Sequence, residues 1–171
     1  MHLLLGPVGA GKSTHARALV ESRRAVHLDL DDWMARLFRP DRPDEGVVQW
    51  YGERADRCVA QIWDTALKII DAGTEVVLEI GMLRRAQRER LYGWVDAAAV
   101  DLKVIVLDAE RDLRRARVER RNEERGPTFS MVVPPEVFEF ASDLWEAPEA
   151  DEIEAREMAR LVSCGPVGRE G

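Results

Sequence analysis

The stretch whose residue types and spacing most directly imply chemistry is Gly6-Pro7-Val8-Gly9-Ala10-Gly11-Lys12-Ser13-Thr14, a G-x-x-x-x-G-K-S pattern. The apolar run Leu3-Leu4-Leu5 precedes it, and the helix-compatible residues His15 to Val20 follow. Strand, glycine loop and helix come in the order that a phosphate-binding loop requires. Glycines let successive backbone N–H groups turn inward around an anion, and the helix beginning at Lys12 or Ser13 adds the positive end of its dipole. On this reading Gly6, Gly9, Ala10, Gly11 and Thr14 build the cradle of a nucleoside triphosphate. Lys12 reaches its β- and γ-phosphates, and the Ser13 hydroxyl ligates Mg²⁺. A chance glycine-rich turn would not carry both glycines, the lysine, the serine and the flanking pattern together.

Two further groups face the same chemistry. Asp29-Leu30-Asp31-Asp32-Trp33 closes a second apolar run, Ala25 to Leu30. In an open α/β sheet ligands lie beyond the carboxyl ends of the strands, so these carboxylates would face the bound phosphates. A carboxylate beside a γ-phosphate can take the proton of an acceptor hydroxyl, which makes Asp31 or Asp32 a candidate base. Helix capping is the plainer reading for one of Asp31 and Asp32, but it does not account for all three acids. The second group is Arg114, Arg117, Arg121 and Arg125, whose spacings of three, four and four put them on one helical face. A solvated face is the usual explanation of such a row. This one, however, leaves the fourth strand's end and runs into Gly126-Pro127-Thr128, a break suited to a hinge, so its cations can follow a moving charge.

The elements that must position these groups alternate. A helix over about Ser13 to Ser22 is followed by the strand ending at Asp29, then by a proline-broken loop, Arg39 to Gly46. A long helix carries Ala55, Cys58, Val59, Ile62, Trp63, Ala66, Leu67 and Ile70 at a 3.6-residue period, so Trp63 and Cys58 read as core. Trp50 and Tyr51 precede that stripe, beside the loop. Glu75 to Gly81 is a third strand, apolar through its middle and carrying Glu79, and an arginine-rich helix over about Leu83 to Ala99 follows it. Leu102 to Leu107 is a fourth strand, followed by a helix from Glu110 to Arg125 and another from Pro134-Pro135 to Trp145. Strands alternating with helices, without hairpin turns, predict an α/β fold with a parallel sheet and right-handed crossovers. The stretch from about residue 146 reads as a mobile acidic tail, and Arg160-Leu161-Val162-Ser163 carries only a weak strand signal.

With 171 residues and 46% hydrophobic content the chain is expected to form one domain, residues 1–171. Its net charge of −7 argues against a nucleic-acid partner. Only Lys12, Lys68 and Lys103 among the 25 basic residues are lysines, so the positive surface is almost wholly arginine. Cys58 and Cys164 have neither metal-ligand spacing nor a disulfide framework. No apolar run reaches the roughly 18 residues of a membrane span, and Met1 to Leu5 is too short for a signal peptide, so a soluble, cytoplasmic protein is expected. The one asparagine, Asn122, is followed by Glu123, which removes the N-K-x-D element of a standard GTPase.

GPVGAGKST, D-L-D-D-W after the second strand and R-R-N-E-E-R-G after the fourth together resemble the small P-loop kinases. That group includes polynucleotide 5′-hydroxyl kinases, zeta toxins, chloramphenicol phosphotransferase, and gluconate and shikimate kinases. The chain is most similar to the bacterial branch of AAA-family ATPases and zeta-toxin-like kinases, over about Met1 to Trp145. The resemblance implies a three-layer P-loop kinase fold with strand order 2-3-1-4-5 and a short lid over about residues 114–135. It places the catalytic aspartate on Asp31 and a carboxylate near magnesium's waters on Asp29. Lid arginines fall on Arg121 and Arg125, with Arg117 on the same helix beside the nucleotide. Glu79 falls where relatives carry an acid at the third strand's end, a candidate for magnesium's outer shell. Candidate substrate contacts are Asp31, Asp32, Trp33, Trp50, Tyr51 and Arg84, with Arg85 and Phe38 nearby.

Polynucleotide kinases place an arginine three residues after the catalytic aspartate, where this chain has Met34. The region after Trp145 also lacks a clear fifth strand and the loop that closes over adenine. The leading expectation is an ATP-dependent kinase of a small-molecule hydroxyl. The alternatives are a kinase of a nucleotide sugar or nucleic-acid end, and an ATP-binding switch with an interface around Trp50, Trp94 or Trp145. Oligomeric state is left open between monomer and homodimer.

Overall fold

Leu3, Leu4 and Leu5 divide between two cores, because successive strand residues point to opposite faces of a sheet. They lie in strand β1 (His2–Leu5), all four residues of which are buried. Leu3 and Leu5 join Leu28, Val76, Leu78, Val104 and Val106 in the larger core, with Cys58, Ile62 and Ala66 of α3 (Val47–Asp71) and Leu91 and Val95 of α4 (Arg85–Ala97). Leu4 joins Val77 and Leu107 on the other face, against Ala16 of α1 (Lys12–Arg23). A strand buried on both faces belongs at the centre of a parallel sheet.

The computed structural model describes residues 1–163; Cys164 and the segment to Gly171 lie outside the described residues. The remaining strands are β2 (Val26–Asp29), β3 (Val76–Glu79), β4 (Lys103–Ala109) and β5 (Ala159–Ser163). They form one parallel sheet of order β2-β3-β1-β4-β5, the order implied by the resemblance. Among the described residues no helix is long and apolar enough to cross a membrane.

Two features correct the sequence reading. The fifth strand does form, pairing Ile105 with Ala159 through to Ala109 with Ser163. Its faint signature follows from its position at the sheet edge, where Leu161 and Val162 remain 44% and 64% exposed and no alternation into a core develops. Helix α2 (Leu30–Leu37) opens directly at the end of β2, and its cap is Asp29, which accepts the Asp31 N–H at 2.8 Å. Neither Asp31 nor Asp32 is the cap, so Asp31 keeps its carboxylate for other contacts.

The helices after β4 are α5 (Arg111–Glu124), α6 (Pro135–Asp143) and α7 (Ala150–Ala155). The acidic stretch from Glu146 is docked rather than free. Arg88 of α4, wholly buried, donates to both oxygens of Glu152 at 2.6 and 2.7 Å and to the Glu146 carbonyl at 2.8 Å. The Tyr92 hydroxyl adds a 3.0 Å bond to Glu152. Outside this pair Arg85 reaches Glu89, Glu149 and Asp151, and Arg156 forks onto Asp96. The acidic run therefore serves as the counter-charge of the arginine-rich α4.

Removing one member of a buried, fully bonded ion pair leaves an uncompensated charge. Arg88→Ala is expected to cost about 3–5 kcal/mol, whereas Arg85→Ala, whose ion pairs lie in solvent, should cost far less. Urea denaturation of the two variants checks this; equal midpoints would show that the Glu152 pair does not hold the C-terminal segment.

Candidate active site

The glycine loop is wedged between two elements. Gly6 and Gly9 have φ of 145° and 80°, and a Cβ on them would stand 2.2 Å from the Leu107 carbonyl oxygen and 2.6 Å from that of Arg114. Only glycine permits so close an approach to the end of β4 and to α5. Arg114, the first member of the arginine row, is buried and fully engaged. Its Nε donates to the Ala109 carbonyl, and its Nη1 donates to the Val8 carbonyl and to Ser142 Oγ, each at 3.0 Å. It is a brace under the loop, not a mobile cation.

Lys12 Nζ donates to the Gly6 and Pro7 carbonyls at 2.9 and 3.1 Å. Enclosure by the cavity walls holds its ammonium below the usual lysine range, with Glu79 and Asp31 pulling the other way. Ser13 Oγ donates to Glu79 Oε1 at 2.9 Å. Glu79 closes β3 in register with Asp29 at the end of β2. His27 Nε2, two residues before Asp29 on the same strand face, lies 3.3 Å from Glu79 Oε2. Burial pushes the Glu79 carboxyl up, but His27, Lys12 and Ser13 outweigh it and hold the group below its ordinary value. Burial also works against a charged His27, and the Glu79 carboxylate outweighs it, raising the imidazole. Asp29, buried beside the Glu79 and Asp31 charges, is pushed up to about 6.

Asp31 stands in the first turn of α2, exposed to solvent but set within the walls of the cavity. That enclosure, with the Glu79 charge, raises its carboxyl; Lys12, the Tyr51 hydroxyl and Arg121 pull it back down. The Tyr51 hydroxyl donates to Asp31 Oδ1 at 3.3 Å, and burial raises this phenol well above the ordinary tyrosine range.

Lys12, Ser13, Asp29, Asp31, Tyr51 and Glu79 line one cavity of about 1310 Å³, room for a nucleotide and a second small molecule. Its wall contains the loop residues Gly9 to Thr14 with Asp29, Asp31 and Glu79. Trp50, Tyr51, Arg84, Arg117 and Arg121 complete the set of expected site residues brought together. Four expected residues are not in that wall. Asp32 pairs with Arg36 at 2.9 Å, Trp33 packs against the larger core, and Arg125 caps α5 in the left-handed region with its guanidinium 5.6 Å from the Phe129 ring centre. Gly6 lies behind the loop against Leu107. Arg121 Nε is buried without a hydrogen-bond partner, as are Glu79 Oε2 and His27 Nε2.

One ligand atom from each of His27, Asp29 and Glu79 falls within 4.8 Å of the others. With the Ser13 hydroxyl, the oxygen donors fit a small hard cation such as Mg²⁺, while the imidazole serves as a partner of Glu79 rather than as a magnesium ligand.

Sequence reasoning missed His27, whose signal was its strand parity with Asp29. It also missed Asn122, which clamps the segment after α5 by exchanging bonds of 2.8 and 3.1 Å with the Val133 backbone. Arg39, Arg42, Gln87 and Arg90 are among the polar cavity residues it did not identify.

The model of a family described as an AAA domain matches residues 1–140. The chain belongs to that family. The matched stretch of this AAA domain holds the glycine loop, both carboxylate-bearing strands and the arginine helix. No curated protein matches the sequence. Among solved structures it is similar to Kti12 from Chaetomium thermophilum in complex with ADP-AlF3, at 15% identity and a TM-score of 0.66, over 94% of this chain and 88% of that one. It is also similar to the APS kinase CysC from Mycobacterium tuberculosis in complex with AMPPNP and APS (17% identity, TM-score 0.58, 94% and 87% covered). A gluconokinase from Sinorhizobium meliloti 1021 matches at 16% identity and a TM-score of 0.57, with 96% and 83% covered. Likeness at these identities establishes the shared P-loop kinase fold.

The two glycine environments separate clash from strain. Gly6→Ala is expected to cost about 1–3 kcal/mol or more, because backbone must move. Gly11→Ala, at φ 100° with no atom within 4 Å of its Cβ, should cost only the left-handed strain of about 1–2 kcal/mol. Thermal and urea unfolding of both variants measures this, and a Gly6→Ala protein as stable as the parent would contradict the wedge.

Proposed function

We propose that this AAA domain is an ATP-dependent phosphotransferase that moves the γ-phosphate of ATP onto a hydroxyl of a small molecule. The observation that carries the reading is Asp31, a carboxylate in the same cavity as the Lys12 loop, raised by its enclosure and held on one oxygen by Tyr51. Two of the similar structures are named as kinases, and two hold ADP-AlF3 or AMPPNP, which supports a nucleoside triphosphate on the loop.

The residues divide the work. The backbone of Gly9 to Ser13 cradles the phosphates, and Lys12 turns from its own loop's carbonyls to the β- and γ-oxygens. Ser13 would hold Mg²⁺, with Asp29 and Glu79 taking its waters, and the ion supplies neutralisation of the phosphate charge. Asp31 accepts the proton of the acceptor hydroxyl as the bond from that oxygen to the γ-phosphorus forms and the bond to the β–γ bridging oxygen breaks. Tyr51 orients the carboxylate. The charge left on ADP is met by Lys12 and by Arg121, whose unpartnered Nε is available for it.

Asp31→Asn is expected to lower turnover about 10²- to 10⁴-fold while ATP affinity stays within about twofold, and Lys12→Ala to damage both. Acceptor-dependent ADP release and calorimetric ATP titration make the comparison. Full transfer by Asp31→Asn would show that another group is the base.

A further inference from the structure

The cavity is positive in a negative chain. Eight of its lining side chains are lysine or arginine and five are aspartate or glutamate, although the net charge of the protein is −7. Lys12 at the start of α1 and Arg117, Arg120 and Arg121 of α5 supply four of the cations, and Asp29, Asp31, Glu79 and Glu124 supply four of the carboxylates. The remaining cations are Arg39 and Arg42 after α2 and Arg84 and Arg90 of α4 and its cap, and the remaining carboxylate is Asp56 of α3.

Helix α4 shows that this excess is selective. Arg85 and Arg88 of the same arginine-rich stretch are bound to Glu89, Asp151 and Glu152. Arg84 and Arg90, which line the cavity, form no salt bridge with a described residue. The Arg90 guanidinium instead lies 5.0 Å from the Trp94 ring centre, a stacking that fixes its plane and leaves its N–H fork free. Gln87 and Leu91 share the cavity wall with them, and Met34, Val59, Ile80 and Met82 give it an apolar floor. Like charges gathered over an apolar floor repel one another, and an anionic ligand relieves that repulsion.

Building on the phosphotransferase reading, we propose that the acceptor is a small hydroxylated molecule with an apolar or ring body and an anionic group, whether carboxylate, phosphate or sulfate. Arg84 and Arg90 bind that group, and the floor beside Met82 and Leu91 takes the body. The arginines determine which hydroxyl compound is presented to Asp31.

The test uses the full chain with MgATP and matched compounds: hydroxy acids against their neutral amides, phosphorylated and sulfated alcohols against the parent alcohols, and a 5′-hydroxyl oligonucleotide. ADP formation and calorimetric binding are read separately. The anionic member should be favoured about 10- to 100-fold in KM or Kd, as expected for charge-assisted hydrogen bonds. Arg84→Ala and Arg90→Ala should each remove most of that preference by raising KM, with MgATP affinity and thermal midpoint reporting an intact fold. Equal use of the neutral partners, a preference that survives the double variant, or transfer to the oligonucleotide alone would overturn the proposal. An anion preference in binding without ADP formation would support the arginine site and count against the transfer reading, so the two can fail independently.

Discussion

Glu79 places one negative charge where four other titratable groups meet. It accepts the Ser13 hydroxyl, contacts His27 and acts on Lys12, Asp29 and Asp31, raising both aspartates and opposing the loss of the lysine's proton. A carboxylate this enclosed persists as an anion only because cations and donors surround it. The strand register makes the arrangement: β3 ends beside β2, so Glu79 and Asp29 share a level, with the glycine loop after β1 on the other side of β3. Sheet order thus brings together residues as far apart in sequence as Ser13 and Glu79.

The second constraint is mechanical. Arg114 ties the Val8 carbonyl of the loop to the end of β4 and to Ser142 of α6, so loop, sheet and α6 share one side chain. Asn122 ties the connecting segment back to α5 at Val133. Between these ties lies the cavity-facing surface with Arg117 and Arg121. Helix α5 is braced at its first turn by Arg114, and Arg117 and Arg121 follow one and two turns further along it.

Much of this was legible in the sequence where local pattern and chemistry coincide. The glycine loop, the first four strands and the placement of Asp29 and Glu79 at strand ends, with Asp31 just beyond β2, all follow from short motifs and apolar runs. What stayed hidden depends on long-range contacts. Arg114 has the same spacing as Arg117 and Arg121, and only its burial against Val8 makes it a brace. Asp32 and Trp33 adjoin Asp31, yet a helix turns successive side chains by about 100°, which sends them elsewhere. The edge strand β5 has no periodicity because it has no second core to enter. The acidic segment after Trp145 reads as a tail because its partners, Arg85 and Arg88, lie some sixty residues earlier.

The central claim is that the phosphate held by the loop passes to a hydroxyl rather than to water. Incubating the protein with γ-radiolabelled ATP, Mg²⁺ and a mixture of hydroxylated acids, then separating the products, tests it most directly. The account predicts label in a phosphomonoester of the acceptor, formed in step with ADP and lost with Asp31→Asn. Label released only as inorganic phosphate, at a rate no acceptor changes, would contradict it.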